Sequence, residues 1–322
     1  MKERLHFEDN GQGWLLELRQ YWSPEHLDTS RRPIVMIPGY CMNTFILNFH
    51  PTRDSMVKHL AEQGHEVWTA NLRGQGGSRR EGGSKSFGFR ELALVDLPVV
   101  MDYVSRHAKS TVSDVDAIGC SLGATFLYAY LAHHSESHGV GSLTAIGGPL
   151  RWEASHPLVK LAFSSPAIAG MINIRGTRQA ARAALPFVQH MPKLLELYMN
   201  ARHIDLSQAG ELVRTIDDPV PYLNRQIAHW VKERDLKVGG LNITAGLRHI
   251  DIPTLCILAN ADGIVPPAAA LSIQHAIGTK VVDVLHVGDE ENWFAHADLF
   301  INNQAPERVF EPLSVWLKNS ND

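Results

Sequence analysis

Three cysteines in 322 residues, Cys41, Cys120 and Cys256, are too few and too scattered for a disulfide framework or a four-thiolate zinc site. Long apolar runs are missing too. The least polar stretch, Leu161 to Ile174, falls short of the roughly 18 residues of a membrane span and contains Ser164, Ser165, Pro166 and Asn173. There is little excess of either charge: 30 Lys plus Arg against 34 Asp plus Glu leave a formal net charge of −4. With a pI near 6.5 the chain has no basic footprint for nucleic acid. Behind the charged start, Met1 to Asn10, no apolar stretch of signal-peptide length follows, so a cytoplasmic location is expected. Repeats and low-complexity segments are absent. With 44% apolar and 20% charged residues, disorder is excluded as well.

At 322 residues the chain exceeds the usual single-core size of about 250, so one large domain with an insertion, or two small domains, is expected. From Trp14 to Pro149 short apolar runs alternate with helical patterns. Strands are expected at Trp14 to Leu18, Pro33 to Ile37, His65 to Ala70, Val115 to Gly119 and Leu143 to Ile146. Helices are expected at Met56 to Gln63, Glu91 to Arg106 and Leu122 to His133. This alternation implies βαβ units and a mostly parallel central sheet with helices on both faces. After Pro149 the pattern turns helical to about Asn242, broken by Pro157, Pro166, Pro186, Pro192, Pro219 and Pro221. Strand character returns at Ile252 to Leu258, followed by a helix at Ala268 to Ile277, a strand at Val281 to Leu285 and a helix near Glu307 to Leu317. Residues 1–149 and 246–322 therefore read as two parts of one α/β core, and 150–245 as a helical cap.

The strongest local signal is Gly119-Cys120-Ser121-Leu122-Gly123, fed by a strand and left by an apolar helix, the context of a nucleophile elbow. Such a turn holds a serine in a strained geometry with its hydroxyl above the sheet. Cys120 does not compete: a motif centred on it needs glycines at Ile118 and Leu122, so it reads as a small core residue. Serine near its free pKa is a poor nucleophile and needs an aligned base, itself oriented by an acid. In this architecture the chain order is Ser, then Asp or Glu, then His. Asp262 follows the late strand Thr254 to Ala259 directly, although an aspartate there also suits an Asx turn or a helix cap. Asp283, inside a strand pattern, and Asp289, after the last strand, are worse placed. Among 17 histidines, His296 stands past the final strand and before the last helix, whereas His286 lies within the strand. Ser121, Asp262 and His296 thus each fall on a loop at a strand's carboxyl end, where groups gather in open parallel sheets. A tetrahedral oxyanion needs two backbone donors. The N–H of Leu122 is one candidate and that of Tyr40, in Pro38-Gly39-Tyr40, the other.

On these residues the chain resembles an α/β-hydrolase-fold serine hydrolase from about Pro33 to Trp316, the cap excepted. Asn71-Leu72-Arg73-Gly74-Gln75-Gly76-Gly77-Ser78 is similar to that family's x-x-R-G-x-G-x-S loop. Gly64-His65-Glu66-Val67-Trp68, Asp96-Leu97-Pro98 and His296-Ala297-Asp298 resemble acid lipases and, more loosely, polyhydroxyalkanoate synthases. The resemblance implies ester hydrolysis or acyl transfer, with Ser121, Asp262 and His296 as triad, Tyr40 and Leu122 as oxyanion donors, and no cofactor or metal. Pro38-Gly39 departs from the His-Gly of many relatives. Serine at the elbow, where the synthases carry cysteine, favours hydrolysis, and it argues against epoxide hydrolases and haloalkane dehalogenases, which carry aspartate. An acyltransferase, cleavage of an amide or carbon–carbon bond by the same triad, and a non-catalytic binding module of the same fold are the alternatives.

Weaker signals have plain readings. His133, His134 and His138 lack a carboxylate set at ligand spacing and read as a solvated helix end. Arg175, Arg178 and Arg182 at helical spacing read as a charged face, with an anionic head group as the rival. Gly74, Gly76 and Gly77 are not followed by Lys-Ser/Thr in P-loop register, which rejects nucleotide binding. Leu158, Val159, Leu161, Ala162, Phe163, Ile168, Ala169, Met171 and Ile172 are open to three readings: an acyl tunnel, peripheral lipid contact, or packing between cap and core. The expected partner is a small-molecule or lipid ester.

Overall fold

The computed structural model describes residues 1–153, 157–163, 165–188 and 195–321, without the side chains of 158, 159, 162 and 185–188. Its strands are β1 (Lys2–Asp9), β2 (Trp14–Trp22), β3 (Ile34–Ile37), β4 (Val67–Asn71), β5 (Arg79–Arg80), β6 (Val115–Cys120), β7 (Val140–Ile146), β8 (Lys237–Val238), β9 (Leu241–Asn242), β10 (Thr254–Ala259) and β11 (Val282–Val287). The central sheet runs β1-β2-β4-β3-β6-β7-β10-β11, with β5 against β2, and β8 and β9 pair apart from it. From β4 to β11 along that order every pairing is parallel; β1, β2 and β5 add an antiparallel edge.

Period-two alternation sorts the sheet's side chains into two cores. Along β3, Val35 and Ile37 join the cluster built on the helices Leu97–His107 and Leu122–His133. Ile34 and Met36 join the opposite cluster, built on Met56–Glu62 and Glu311–Asn321. Every residue of β3, β4, β6 and β10 is buried, which is why these strands are mostly apolar on both faces rather than alternating. The chain leaves β3 toward β4 and returns to the other side of β3 as β6, so the carboxyl ends of β3 and β6 flank a switch point where a crevice opens.

Several segments differ from the sequence expectation for physical reasons. β1 is an exposed edge strand rich in charge, and its pairing with β2 sets it rather than an apolar pattern. The expected helix Glu91 to Arg106 is interrupted by a π-turn at Leu92–Asp96, and a second π-turn, Pro306–Phe310, precedes the last helix. In each case a proline, Pro98 or Pro312, follows within two residues and cannot donate to the carbonyl four back. β4 begins at Val67 rather than His65. The buried Glu66 carboxylate instead accepts from Gln20 Nε2, Trp68 Nε1 and the N–H groups of Lys109 and Ser110, at 2.7–3.0 Å. Two motif residues also find structural work. Arg73 meets Asp96 through both Nε and Nη2 (3.0 and 2.7 Å), the pair being 2% and 0% exposed. That ion pair ties the loop after β4 to the helix bundle beneath.

Between β7 and β10 the described chain is helical apart from the β8–β9 pair, with helices at Pro157–Ala162, Pro166–Ala169, Thr177–Val188, Ala209–Leu212 and Pro221–Glu233. Its inner residues Leu150, Trp152, Leu223 and Trp230 belong to the same cluster as the sheet. The insertion therefore packs on the core. Ser164 and Pro192, and the side chains of Leu158, Val159, Ala162 and Pro186, lie outside the described residues.

His65 is fully buried with both ring nitrogens unpartnered among the described residues, and burial pushes its pKa from 6.5 down to about 4. The unfolded chain then binds the extra proton more readily, so stability falls as pH drops from 6.5 toward 4. Urea unfolding across that window should show a smaller loss for His65→Leu than for the wild type; equal losses would refute the assignment.

Candidate active site

β6 ends at Cys120, and the chain turns into the helix Leu122–His133 through Ser121 at φ 53°, ψ −125°. For a non-glycine residue this is a strained backbone, and close packing holds it. A side chain at Gly119 would strike the Ala124 backbone, and one at Gly123 the carbonyls of Ile37 and Pro38. A Cβ at Gly39 would come within 2.7 Å of Ser121 Cβ. The glycines two before and two after the serine are thus clearances that let strand, turn and helix meet. The Ser121 N–H donates to Ile146 O at 2.8 Å, and its own carbonyl accepts from Ala124 N–H at 3.0 Å. Cys120 points into the core, 3.8 Å from Met42 Sδ, and burial pushes its thiol far above the ordinary range.

Asp262 follows β10 and His296 lies beyond β11, both buried. His296 Nδ1 and Asp262 Oδ2 are 2.6 Å apart. The other carboxylate oxygen accepts the N–H groups of Ile264 and Val265, each at 2.8 Å. Asp262 therefore does make the turn that its sequence context also suited, and it turns its free oxygen on the imidazole. Such a contact fixes the ring so that Nε2 faces away from the acid. Strand β7, which pairs with the serine's own strand β6, also reaches the imidazole. One residue past the Cys120–Ile146 pair stands Gly147, where a Cβ would lie 3.0 Å from His296 Cε1 and 3.6 Å from Asp262 Oδ2.

The loop after β3 borders the serine. The backbone N–H groups of Tyr40 and Leu122 find no acceptor among the described residues. Leu122 opens a helix, where unpaired N–H groups and the positive end of the dipole are inherent. The Tyr40 phenol donates to Asn224 of the insertion, and Cys41 adopts a left-handed φ of 53°. An isolated bridge joins Met42 to Ile216.

A family model described as alpha/beta hydrolase fold matches residues 32–295. The chain belongs to that family. The match stops one residue before His296, so the histidine is located by geometry. No curated protein matches the sequence significantly. Among solved structures, this alpha/beta hydrolase is similar to an esterase from Exiguobacterium antarcticum (19% identity, 97% of this chain and 98% of that one, TM-score 0.59). It is also similar to a thermophilic esterase from Thermogutta terrifontis (16%, 96% and 95%, 0.61). A meta-cleavage product hydrolase from Pseudomonas fluorescens IP01 aligns as well (13%, 97% and 96%, 0.62). At these identities the likeness shows the fold; the chemistry has to be argued from the site.

The remaining polar candidates of this chain lie elsewhere. Asp283 accepts from Trp316 Nε1 at 2.8 Å, Asp289 pairs with Arg308, and His286 is exposed on edge strand β11. His133 and His134 each contact a backbone carbonyl, of Val238 and Tyr130, and His138 accepts the Val140 N–H. Among the described residues no group of three or more His, Cys, Asp or Glu side chains is placed to hold a metal, nor is any helix long and apolar enough to cross a membrane. Arg178 pairs with Asp217 at 2.9 Å. Sequence reasoning missed two neighbours of the histidine. The Tyr198 ring lies 6.3 Å from that of His296, and Tyr198 O accepts the Ala297 N–H at 2.8 Å. Asp298 Oδ2 accepts the N–H groups of Ala295 and Asn200 at 2.7 and 2.8 Å, pinning the histidine loop to the insertion. The triplet His296-Ala297-Asp298 held a signal for Asp298; nothing in the sequence marked Tyr198.

Burial raises the Asp298 pKa to about 7 from 3.8. The folded state therefore holds its proton where the unfolded chain has lost it, and this group's contribution weakens as pH rises from about 4 to about 7. Asp298→Asn, whose amide oxygen can still accept both N–H groups, should flatten that part of the stability–pH curve. A curve that superimposes on the wild type would exclude Asp298 as its source.

Proposed function

We propose that this protein is a serine hydrolase of carboxylic esters with apolar acyl chains, working through an acyl-enzyme on Ser121. The observation that carries the reading is the 2.6 Å contact of His296 Nδ1 with a carboxylate whose other oxygen is already held by two backbone N–H groups. That arrangement is costly to bury and suits a base that must become an imidazolium. In the proposed cycle His296 Nε2 takes the Ser121 proton as Oγ attacks the ester carbonyl. Asp262 fixes the tautomer and stabilises the charged ring. The N–H groups of Tyr40 and Leu122 meet the oxyanion, a contribution of about 3 kcal/mol for each donor. The imidazolium then protonates the leaving alkoxide, and water, activated by the same base, releases the acid. No step needs a cofactor or metal.

Two features support apolar acyl chains. An apolar cavity of about 210 Å³, lined by Ile46, Leu195, Tyr198, Met199, Leu212 and Ile301, adjoins the histidine through Tyr198. On the outside of the insertion Leu161, Ile168, Met171 and Ile174 are 51–73% exposed, which suits substrate taken from a lipid surface. We keep 150–245 as a cap over the core segments 1–149 and 246–322.

A fluorophosphonate probe, followed by peptide mass mapping, should label Ser121 and lose that label in Ser121→Ala and His296→Ala. Absence of label on folded wild-type protein would refute the reading. On a graded ester series, turnover should rise beyond acetate, and Leu212→Trp should cut octanoate hydrolysis about tenfold or more while sparing acetate. A flat profile would remove the apolar acyl site.

A further inference from the structure

Gly39 and Tyr40 share one peptide plane. No described peptide bond is cis, so the Gly39 carbonyl and the Tyr40 N–H lie in that plane and point in opposite directions. Whatever holds the carbonyl therefore aims the N–H. The Gly39 carbonyl accepts from Gln75 Nε2 at 2.9 Å. The same nitrogen donates to Met42 O at 3.1 Å, and Gln75 Oε1 accepts the Leu72 N–H at 3.0 Å. Reversing the amide would set its oxygen against two carbonyls, so the orientation is determined by its partners. Gln75 is only 9% exposed, which leaves water little room to compete.

The loop needs such a brace. Glycine at position 39 permits either orientation of the following peptide, and the next turn is left-handed at a non-glycine, Cys41. The peptide borders the serine, because a Cβ on Gly39 would sit 2.7 Å from Ser121 Cβ. Turned over, it would present a carbonyl oxygen where a developing oxyanion needs a donor. We propose that Gln75 is a positioning residue for the oxyanion site, holding the 39–40 peptide so that the Tyr40 N–H faces the reacting carbonyl. This rests on the ester-hydrolase reading above. Gln75 occupies an unspecified position of the Arg73-Gly74-x-Gly76 motif, so the motif alone does not supply the brace.

Gln75→Leu removes both donors, and Gln75→Glu keeps the shape but sets a carboxylate against two carbonyls. With an ester the wild type hydrolyses, both should lower kcat about 10- to 100-fold. KM should stay within about threefold, since ground-state binding is not the interaction lost. A boronic acid mimic of the tetrahedral state should lose affinity in step with kcat. For Gln75→Glu the ratio of kcat to wild type should recover as pH falls, because a protonated carboxyl can donate to one carbonyl again. Folded variants with wild-type kcat, or a loss confined to KM, overturn the proposal. If Gln75→Leu does not fold, a pH-independent ratio for Gln75→Glu overturns it alone. A wild type that neither hydrolyses esters nor takes the probe at Ser121 removes the underlying reading, and both fall.

Discussion

Holding a serine at φ 53°, ψ −125° costs on the order of 1–3 kcal/mol, and the turn persists only because its surroundings admit nothing else. Three surfaces supply that constraint: the strand before it, the helix after it, and the loop after β3. Each approaches through a glycine, at 119, 123 and 39, where a side chain would collide with backbone or with Ser121 itself. The sheet order matters for the same reason. Because β3 and β6 are neighbours, the loop after β3 and the serine emerge side by side, and β7 brings Gly147 next to them as the floor under His296. The proposed chemistry depends on this packing, since a hydroxyl free to rotate into the strand would be aligned with neither base nor donors.

The insertion is bonded to the site loops rather than merely lying over them. Asp217 N–H donates to Cys41 O and Asn43 N–H to Thr215 O, at 2.9 and 3.0 Å, while the Tyr40 phenol reaches Asn224. On the other side, Tyr198 and Asn200 hold the loop of His296, and Gly263, next to the acid, has no room for a Cβ against Leu197. Its inner segment thus functions as a wall of the site, buttressing the loops that would present the donors and the base. Its outer apolar residues take no part in those bonds and face away from the core.

How much of this was legible follows from what each residue must satisfy. β3, β6 and β10 were readable because they are buried on both faces and so nearly all apolar, and the elbow because its glycines answer a steric demand of fixed spacing. Asp262 and His296 were readable through chain order and their place after strands. β1 was not, since an edge strand can be charged on either side when pairing alone defines it. The π-turns were invisible because a proline two residues later changes hydrogen bonding without changing apolar periodicity. Gln75 and Tyr198 act through contacts between segments far apart in sequence, which no local pattern records, whereas Asp298 lay in a triplet that carried a signal. Glu66 and the Arg73–Asp96 pair sat in motifs noticed by resemblance, and the structure gives them structural rather than chemical tasks.

In the proposed cycle Ser121 carries the acyl group. Acid quenching during turnover of a slowly deacylating ester, followed by peptide mass analysis, would catch it there. The expected result is the acyl mass on the peptide containing Ser121, formed faster than product accumulates and absent from Asp262→Asn and His296→Ala on the same time scale. Product formation with the acyl mass never on Ser121, or found on Cys120 or another residue, would contradict the claim.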